Sequence, residues 1–412
     1  MPNAVVIGAG LSGLVAAIRL ARGGRTVTLL TKGLGGLQLS QGTIDVLGYA
    51  PERVDAPIDA TASLPATHPY KVLGPAAIAA GIAYAQELLG DRLVGNADRN
   101  VLLPTAIGAL RPTCLVPPSM RAGVVMGGIR YVLVGFRQFK DFYPKLCAAN
   151  LERQAAPNGD PIIARAVMLD LPAVADMADS SALEYARALD DPSYRATLAA
   201  ALKPLLEDGE VVGLPAILGH RDAGAHRHLE QLLGHAVFEV PLPPPGVPGI
   251  RLNEALTELA KEAGVRIVAG AKVVGFESAS GKVISVGQAT AGRIRQYAAD
   301  AFVYAPGGFE SGALTMDSYG TVTETIFGLP LHGLGPNLVT GDDDPSQQAL
   351  FRVGVGVDAG MRVVDPAGHA PYNNLYAAGG ILAGAIRWTE KSGEGIALAS
   401  AVVAADSILK GA

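Results

Sequence analysis

Short apolar runs, broken by glycine turns and amphipathic stretches, organise this chain. Residues 4–7 and 26–30 are apolar runs of strand length, and 11–22 carries apolar positions at helical spacing between them. That order predicts strand, helix, strand at the start of the chain. Over about 51–245 the pattern changes. Prolines interrupt it, helices are expected near 74–89 and 181–202, and a strand near 130–134. The stretch Pro241-Leu242-Pro243-Pro244-Pro245-Gly246-Val247-Pro248 ends that region, because it suits neither a helix interior nor a central strand. Alternation then returns. A helix is predicted over 251–263, strands over 265–269, 272–278 and 282–287, and an apolar strand over 301–305. Residues 311–350 read as a second insertion with an acidic loop, Asp342-Asp343-Asp344. A last strand signal at 374–378 and a helix over 395–409 close the chain.

The first strand runs into Gly8-Ala9-Gly10-Leu11-Ser12-Gly13, a G-x-G-x-x-G turn that opens a helix. Gly8 permits the bend, Gly10 lets backbone approach a pyrophosphate, and Gly13 lets the helix pack on the strand. Phosphate oxygens then meet the free N–H groups and positive end of the helix, with Leu11 and Ser12 at that end. Two more strands end in glycine turns, Ala305-Pro306-Gly307-Gly308 and Ala378-Gly379-Gly380. Ligands of parallel sheets lie at the carboxyl ends of the strands, so three such turns imply one long cofactor across one sheet edge.

Composition narrows the class. The 412 residues exceed one compact core, so two domains are expected. At 49% hydrophobic and 17% charged the chain is a folded globular protein, and a net charge of −5 gives no nucleic-acid footprint. Cys114 and Cys147 form no C-x-x-C pair, so no metal or iron–sulfur site is expected, and both read as core thiols of a reducing compartment. His220, His226, His228 and His235 lie among Arg221, Arg227 and Glu230, which suits a solvated or partner-facing surface better than a metal. A strand from residue 4 leads to the expectation of no signal peptide. Apolar stretches such as 76–85 fall short of the roughly 20 residues that span a bilayer, so no membrane segment is expected.

The turns, their order and the sequence Leu375-Tyr376-Ala377-Ala378-Gly379-Gly380 resemble the two-dinucleotide-binding-domain flavoproteins of the succinate dehydrogenase/fumarate reductase type. Further segments resemble a narrower family, the B subunits of the anaerobic glycerol-3-phosphate dehydrogenases. They are Thr67-His68-Pro69-Tyr70, Arg111-Pro112-Thr113, Phe139-Lys140-Asp141-Phe142-Tyr143-Pro144, Asp317-Ser318-Tyr319-Gly320 and Ile326-Phe327-Gly328-Leu329-Pro330. The resemblance implies an α/β, Rossmann-like FAD/NAD(P)-binding fold made of 1–50, 246–310 and 351–412. An α+β cap of 51–245 with 311–350 would be inserted in it. It implies a bound FMN or FAD and glycerol 3-phosphate as substrate. It also implies two partners, a catalytic subunit carrying FAD and an iron–sulfur subunit that docks at the membrane and passes electrons to quinone. The chain would be cytoplasmic, reaching the inner face of the cell membrane only through a partner.

The cofactor-binding set expected on these grounds is Gly8, Gly10, Leu11, Ser12, Gly13, Thr31, Lys32, Gly33, Ser40, Gly42, Val273, Ala305, Gly307, Gly308, Gly379, Gly380, Gly395 and Ile396. Thr31 stands where an FAD fold usually has a ribose-binding carboxylate. That suits FMN, which has no adenosine, whereas the retained pyrophosphate turn suits FAD; the choice stays open. Oxidising a secondary alcohol needs a base and, for a phosphate, arginines. His332 and Glu324 are the candidate bases, and Arg387 and Arg352 the candidate cations. A self-sufficient flavin oxidoreductase of the fumarate-reductase type and a structural subunit with weak or no flavin are the alternatives.

Overall fold

The computed structural model describes residues 3–341 and 348–411; the acidic loop Asp342-Asp343-Asp344 lies outside them. In chain order the main elements are β1 (Asn3–Ile7), α1 (Leu11–Arg22), β2 (Thr26–Thr31), α2 (Pro69–Leu89), β3 (Arg130–Phe136), α3 (Pro144–Leu151), β4 (Ile163–Leu169), α4 (Ala182–Ala188), α5 (Pro192–Leu202), β5 (Glu210–Pro215), α6 (Ala225–Leu233), β6 (Val237–Val240), α7 (Val247–Glu262), β7 (Arg266–Ala269), β8 (Ala301–Tyr304), β9 (Leu375–Ala377) and α8 (Gly393–Lys410).

The chain divides into two compact units. The first comprises 1–36, 45–90 and 253–412, the second 37–44 and 91–252. This differs from the expected partition, because 51–90 and the described part of 311–350 belong with the first unit. The cause is packing. α2 lies along α8, and Gly81 lets their backbones touch, since a Cβ there would stand 2.7 Å from Ala399 backbone. The helix from Pro69 to Arg92 is also long and apolar enough to cross a bilayer by length and composition, with mean hydropathy 1.4. The sequence expectation missed it because Gly74 and Pro75 break the apolar run; Gly74 kinks the helix at φ 74°.

In the first unit a five-stranded parallel sheet has the order β7-β2-β1-β8-β9. The chain turns back between β1 and β8, so the crevice between their carboxyl ends is the ligand position of an open α/β sheet. Register brings the three strand ends level, with Ile7 opposite Tyr304 and Tyr304 opposite Ala377. α1 and α8 are joined by Arg19, which grips Asp406 through two bonds of 2.5 and 2.9 Å.

The second unit holds a four-stranded sheet, β6-β5-β3-β4, in which every pairing is parallel. Helices alternate with these strands, so its centre is α/β and the expected α+β cap is corrected. Short antiparallel pairs, 94–95 with 115–116 and 101–104 with 110–113, depart from that pattern. The expected helix over 181–202 is two, α4 and α5, because Asp191 caps the helix that Pro192 opens. The proline-rich segment likewise ends inside a helix, with Pro248 in the first turn of α7, where it loses no hydrogen bond. Phe139 and Phe142 of the segment 139–144 are buried in the core, Phe139 edge-on to Tyr185. Glu239, fully buried, accepts from Arg251 through both oxygens, from Ser119 Oγ and from Leu218 N–H. The protein's own ion pair therefore fills that part of the sheet. Among the described residues no group of three or more His, Cys, Asp and Glu is placed to hold a metal. His228 accepts from Arg195 and His235 contacts Glu210 O. Cys114 and Cys147 are buried, and burial pushes the Cys147 thiol up to about 12.

Candidate active site at the carboxyl edge of the first sheet

The three glycine turns meet. Gly8 adopts φ +110°, and a Cβ there would stand 2.1 Å from Ala305 O, so the β1 and β8 turns touch through that glycine. A Cβ on Gly13 would stand 1.9 Å from Gly8 O, so α1 packs tightly on the β1 turn. A Cβ on Gly379 would meet Ser12 Oγ at 2.3 Å, which joins the β9 turn to α1; Gly379 N–H donates to Ser400 Oγ at 2.9 Å. Gly308 closes the set, with a Cβ there falling 3.1 Å from Gly380 O. Gly10 differs from all of these. Among the described residues, a Cβ at Gly10 meets nothing within 4 Å and no side chain caps α1. A glycine that no protein atom requires, ahead of the uncapped N–H groups of Leu11, Ser12 and Gly13, fits a phosphate-bearing cofactor.

Several expected cofactor residues prove to be engaged by the protein. Thr31 Oγ1 donates to Gly33 O and accepts from Gly33 N–H, so its hydroxyl shapes its own loop, with Lys32 exposed in it. That loop leans on the β1 turn, since a Cβ on Gly35 would stand 2.5 Å from Ala9 O. Gly395 N–H donates to Asp45 O and Ile396 N–H to Ser392 O, so these two donors at the start of α8 are spent, against expectation. The 45–46 segment crosses that helix end and takes the place sequence reasoning gave to the cofactor. Val273 is buried at the start of the strand Val273–Ala279. Ser40 and Gly42 belong to the second unit, where Ser40 Oγ accepts from Gly42 N–H.

Among the catalytic candidates Arg387 reaches the turns. Its guanidinium lies against Gly380, where a Cβ would meet Nη1 at 1.9 Å, and beside Gly308. Nη2 donates to Glu310 Oε1 at 2.6 Å. Arg352 is exposed, and its carbonyl accepts from Gly384 N–H. His332 lies one strand away. It pairs with Gly354, where a Cβ would stand 2.5 Å from Ile381 O, and its Nε2 is 3.1 Å from Val364 O. Nε2 therefore carries the proton and Nδ1 is the basic nitrogen. Glu324 is corrected. It is buried and accepts from Tyr304 Oη at 2.5 Å and from the N–H groups of Ile326, Phe327 and Leu329. Four donors leave it no lone pair for a substrate proton, so it is a structural acceptor. Burial, with the Glu324 charge behind it, pushes the Tyr304 phenol upward.

Sequence reasoning missed the brace behind this edge. His68, 1% exposed, accepts from Tyr70 N–H through Nδ1 and donates through Nε2 to Glu390. Glu390 also accepts from Ile386 N–H and Ser392 Oγ. The one-turn helix Arg387–Glu390 is thereby fixed at both ends. His68 stands out in the sequence only within the segment Thr67-His68-Pro69-Tyr70, and no local pattern pairs residue 68 with residue 390.

Comparison with known proteins agrees with this geometry. The family model for an FAD binding domain matches residues 3–396. The chain is 33% identical to the B subunit of a probable anaerobic glycerol-3-phosphate dehydrogenase from Halobacterium salinarum, covering 97% of this chain and 96% of that one. It is 30% identical to the B subunit of the anaerobic glycerol-3-phosphate dehydrogenase of Pectobacterium atrosepticum, over 99% and 98%. Among solved structures, the open conformation of a flavocytochrome c3 fumarate reductase is similar at 11% identity and TM-score 0.46, over 99% of this chain and 78% of that one. With the pyrophosphate turn, the level strand ends and the two sequence relatives together, the chain belongs to the FAD-binding-domain flavoproteins and, within them, to the family of anaerobic glycerol-3-phosphate dehydrogenase B subunits.

Proposed function

We propose that this subunit holds a flavin at the β1–β8 crevice and relays electrons from glycerol 3-phosphate, oxidised to dihydroxyacetone phosphate, toward a membrane-docked iron–sulfur partner and quinone. The observation that carries the reading is Gly10, open to any ligand beside the uncapped start of α1. Gly8, Gly10 and the N–H groups of Leu11, Ser12 and Gly13 would hold the phosphates, and the Gly307-Gly308 and Gly379-Gly380 turns would border the ring. When bound, the flavin supplies a two-electron acceptor. This chain's own residues orient and neutralise. If the substrate is oxidised on this chain rather than on a partner, Arg387, assisted by Arg352, takes its anionic end and His332 Nδ1 takes the hydroxyl proton. In this reading the chain is cytoplasmic and peripheral to the inner membrane face through its partners, one of which carries FAD.

A second reading, a self-sufficient flavin oxidoreductase, is favoured by Arg387, a cation already at the turns. Anaerobic addition of glycerol 3-phosphate to the flavin-loaded chain separates the two. Bleaching of the flavin absorbance by the chain alone supports self-sufficiency. Bleaching only when the partner subunits are added supports the relay.

A further inference from the structure

Arg387 occupies an unusual setting for an arginine. Its side chain is 17% exposed, yet its ion-pair partner, Glu310, is 59% exposed. Glu310 engages only Nη2, and among the described residues no group bonds Nε or Nη1. The guanidinium is held in place instead by two glycines. Gly380 and Gly308 leave room for it, with the Glu310 carboxylate also at Gly308, where a Cβ would stand 2.9 Å from Oε2. The backbone of Arg387 is fixed from behind, because Glu390, three residues on, is locked by His68. A rigidly seated cation therefore has a loose counter-ion.

We propose that Glu310 is a displaceable resting counter-ion, and that a phosphate monoester takes its place on Arg387. This rests on the proposed function of the site and adds to it a competing internal carboxylate. A phosphate offers oxygens to two guanidinium nitrogens at once, where Glu310 uses one. An exposed carboxylate holds such a pair weakly, so the exchange costs little. Glu310 keeps the cation paired at rest and lowers affinity for anions generally, which leaves the site to ligands with a doubly charged, fork-binding group.

Calorimetric titration of the full chain with inorganic phosphate, and separately with glycerol 3-phosphate, tests this. Removing the competitor with Glu310→Gln should tighten phosphate binding by about two- to fivefold, the range of an exposed pair. Arg387→Gln should abolish it, and Arg387→Lys, which keeps charge but not the fork, should weaken it. Thermal unfolding of each variant establishes that it is folded, and Arg387→Lys serves if Arg387→Gln is not. No phosphate binding by the wild type, or an unchanged or weaker affinity in Glu310→Gln, would overturn the proposal. Flavin content measured on the same samples reads the parent assignment separately. A chain with flavin but no response to Glu310→Gln overturns only the counter-ion role, and a chain without flavin overturns only the flavin site.

Discussion

His68 Nε2 and Glu390 Oε2 lie 3.0 Å apart, and the other ring nitrogen of His68 accepts from Tyr70 N–H. The backbone donor fixes the tautomer. Nδ1 must present a lone pair, so the histidine is neutral and Nε2–H points at a carboxylate. Burial raises Glu390, but the hydrogen bond from His68, with the Ile386 N–H and Ser392 donors, outweighs it and holds the carboxyl below its ordinary 4.5. A carboxylate with a depressed folded value stabilises the fold above its unfolded pKa, and that contribution fades as pH falls through the folded value. Glu390→Gln should therefore cost about 1–3 kcal/mol at neutral pH, with the deficit shrinking below about pH 4. Denaturant midpoints of both proteins across pH check this. A deficit that is the same at every pH would contradict it.

Gly10 and Gly13 should separate folding from binding. At Gly13 a Cβ collides with Gly8 O, so Gly13→Ala should lower the thermal midpoint and flavin uptake together. At Gly10 the φ of −76° suits any residue and nothing lies within 4 Å, so Gly10→Ala should keep the wild-type midpoint. Flavin affinity, read by fluorescence quenching, should nevertheless fall about tenfold or more, since one lost phosphate contact of about 1.4 kcal/mol is a factor of ten. Wild-type affinity in Gly10→Ala would show that this opening is not where the phosphates go.

Glu324 should behave as part of the fold. Its four donors would be left facing a weaker acceptor in Glu324→Gln, and the expected loss is about 1–3 kcal/mol of stability. The midpoint of chemical unfolding reads it. An unaltered midpoint together with a lost pH-dependent rate would restore Glu324 as a base.

Arg251 and Glu239 make a second, independent case. Glu239 is fully buried, and Arg251→Met would strand its charge, costing about 3–5 kcal/mol. Adding Glu239→Leu should recover much of that, because an apolar pair replaces a buried ionic one. A double variant no more stable than Arg251→Met alone would count against this view of the network.

The first sheet was legible in sequence because its strands are short, largely apolar runs, and β1, β8 and β9 lead into glycine turns. The meeting of the three turns was legible for a related reason: Gly8 and Gly13 are required by close backbone approach, and Gly379 by its packing on the Ser12 side chain. The second unit was not, because β4 and β5 carry polar and charged residues such as Arg165 and Glu210 that pair with each other and hide the apolar pattern. The His68–Glu390 brace and the Arg387–Glu310 pair were equally hidden, since each joins residues far apart in the chain. Glu324 misled because a buried carboxylate held by backbone N–H groups has the same letter as a base.

Release and identification of the bound flavin from the purified chain tests the central claim most directly. The purified protein should be yellow, with about one flavin per chain, as one pyrophosphate turn requires, released as FAD in keeping with its family. A colourless chain that takes up neither FAD nor FMN would contradict it.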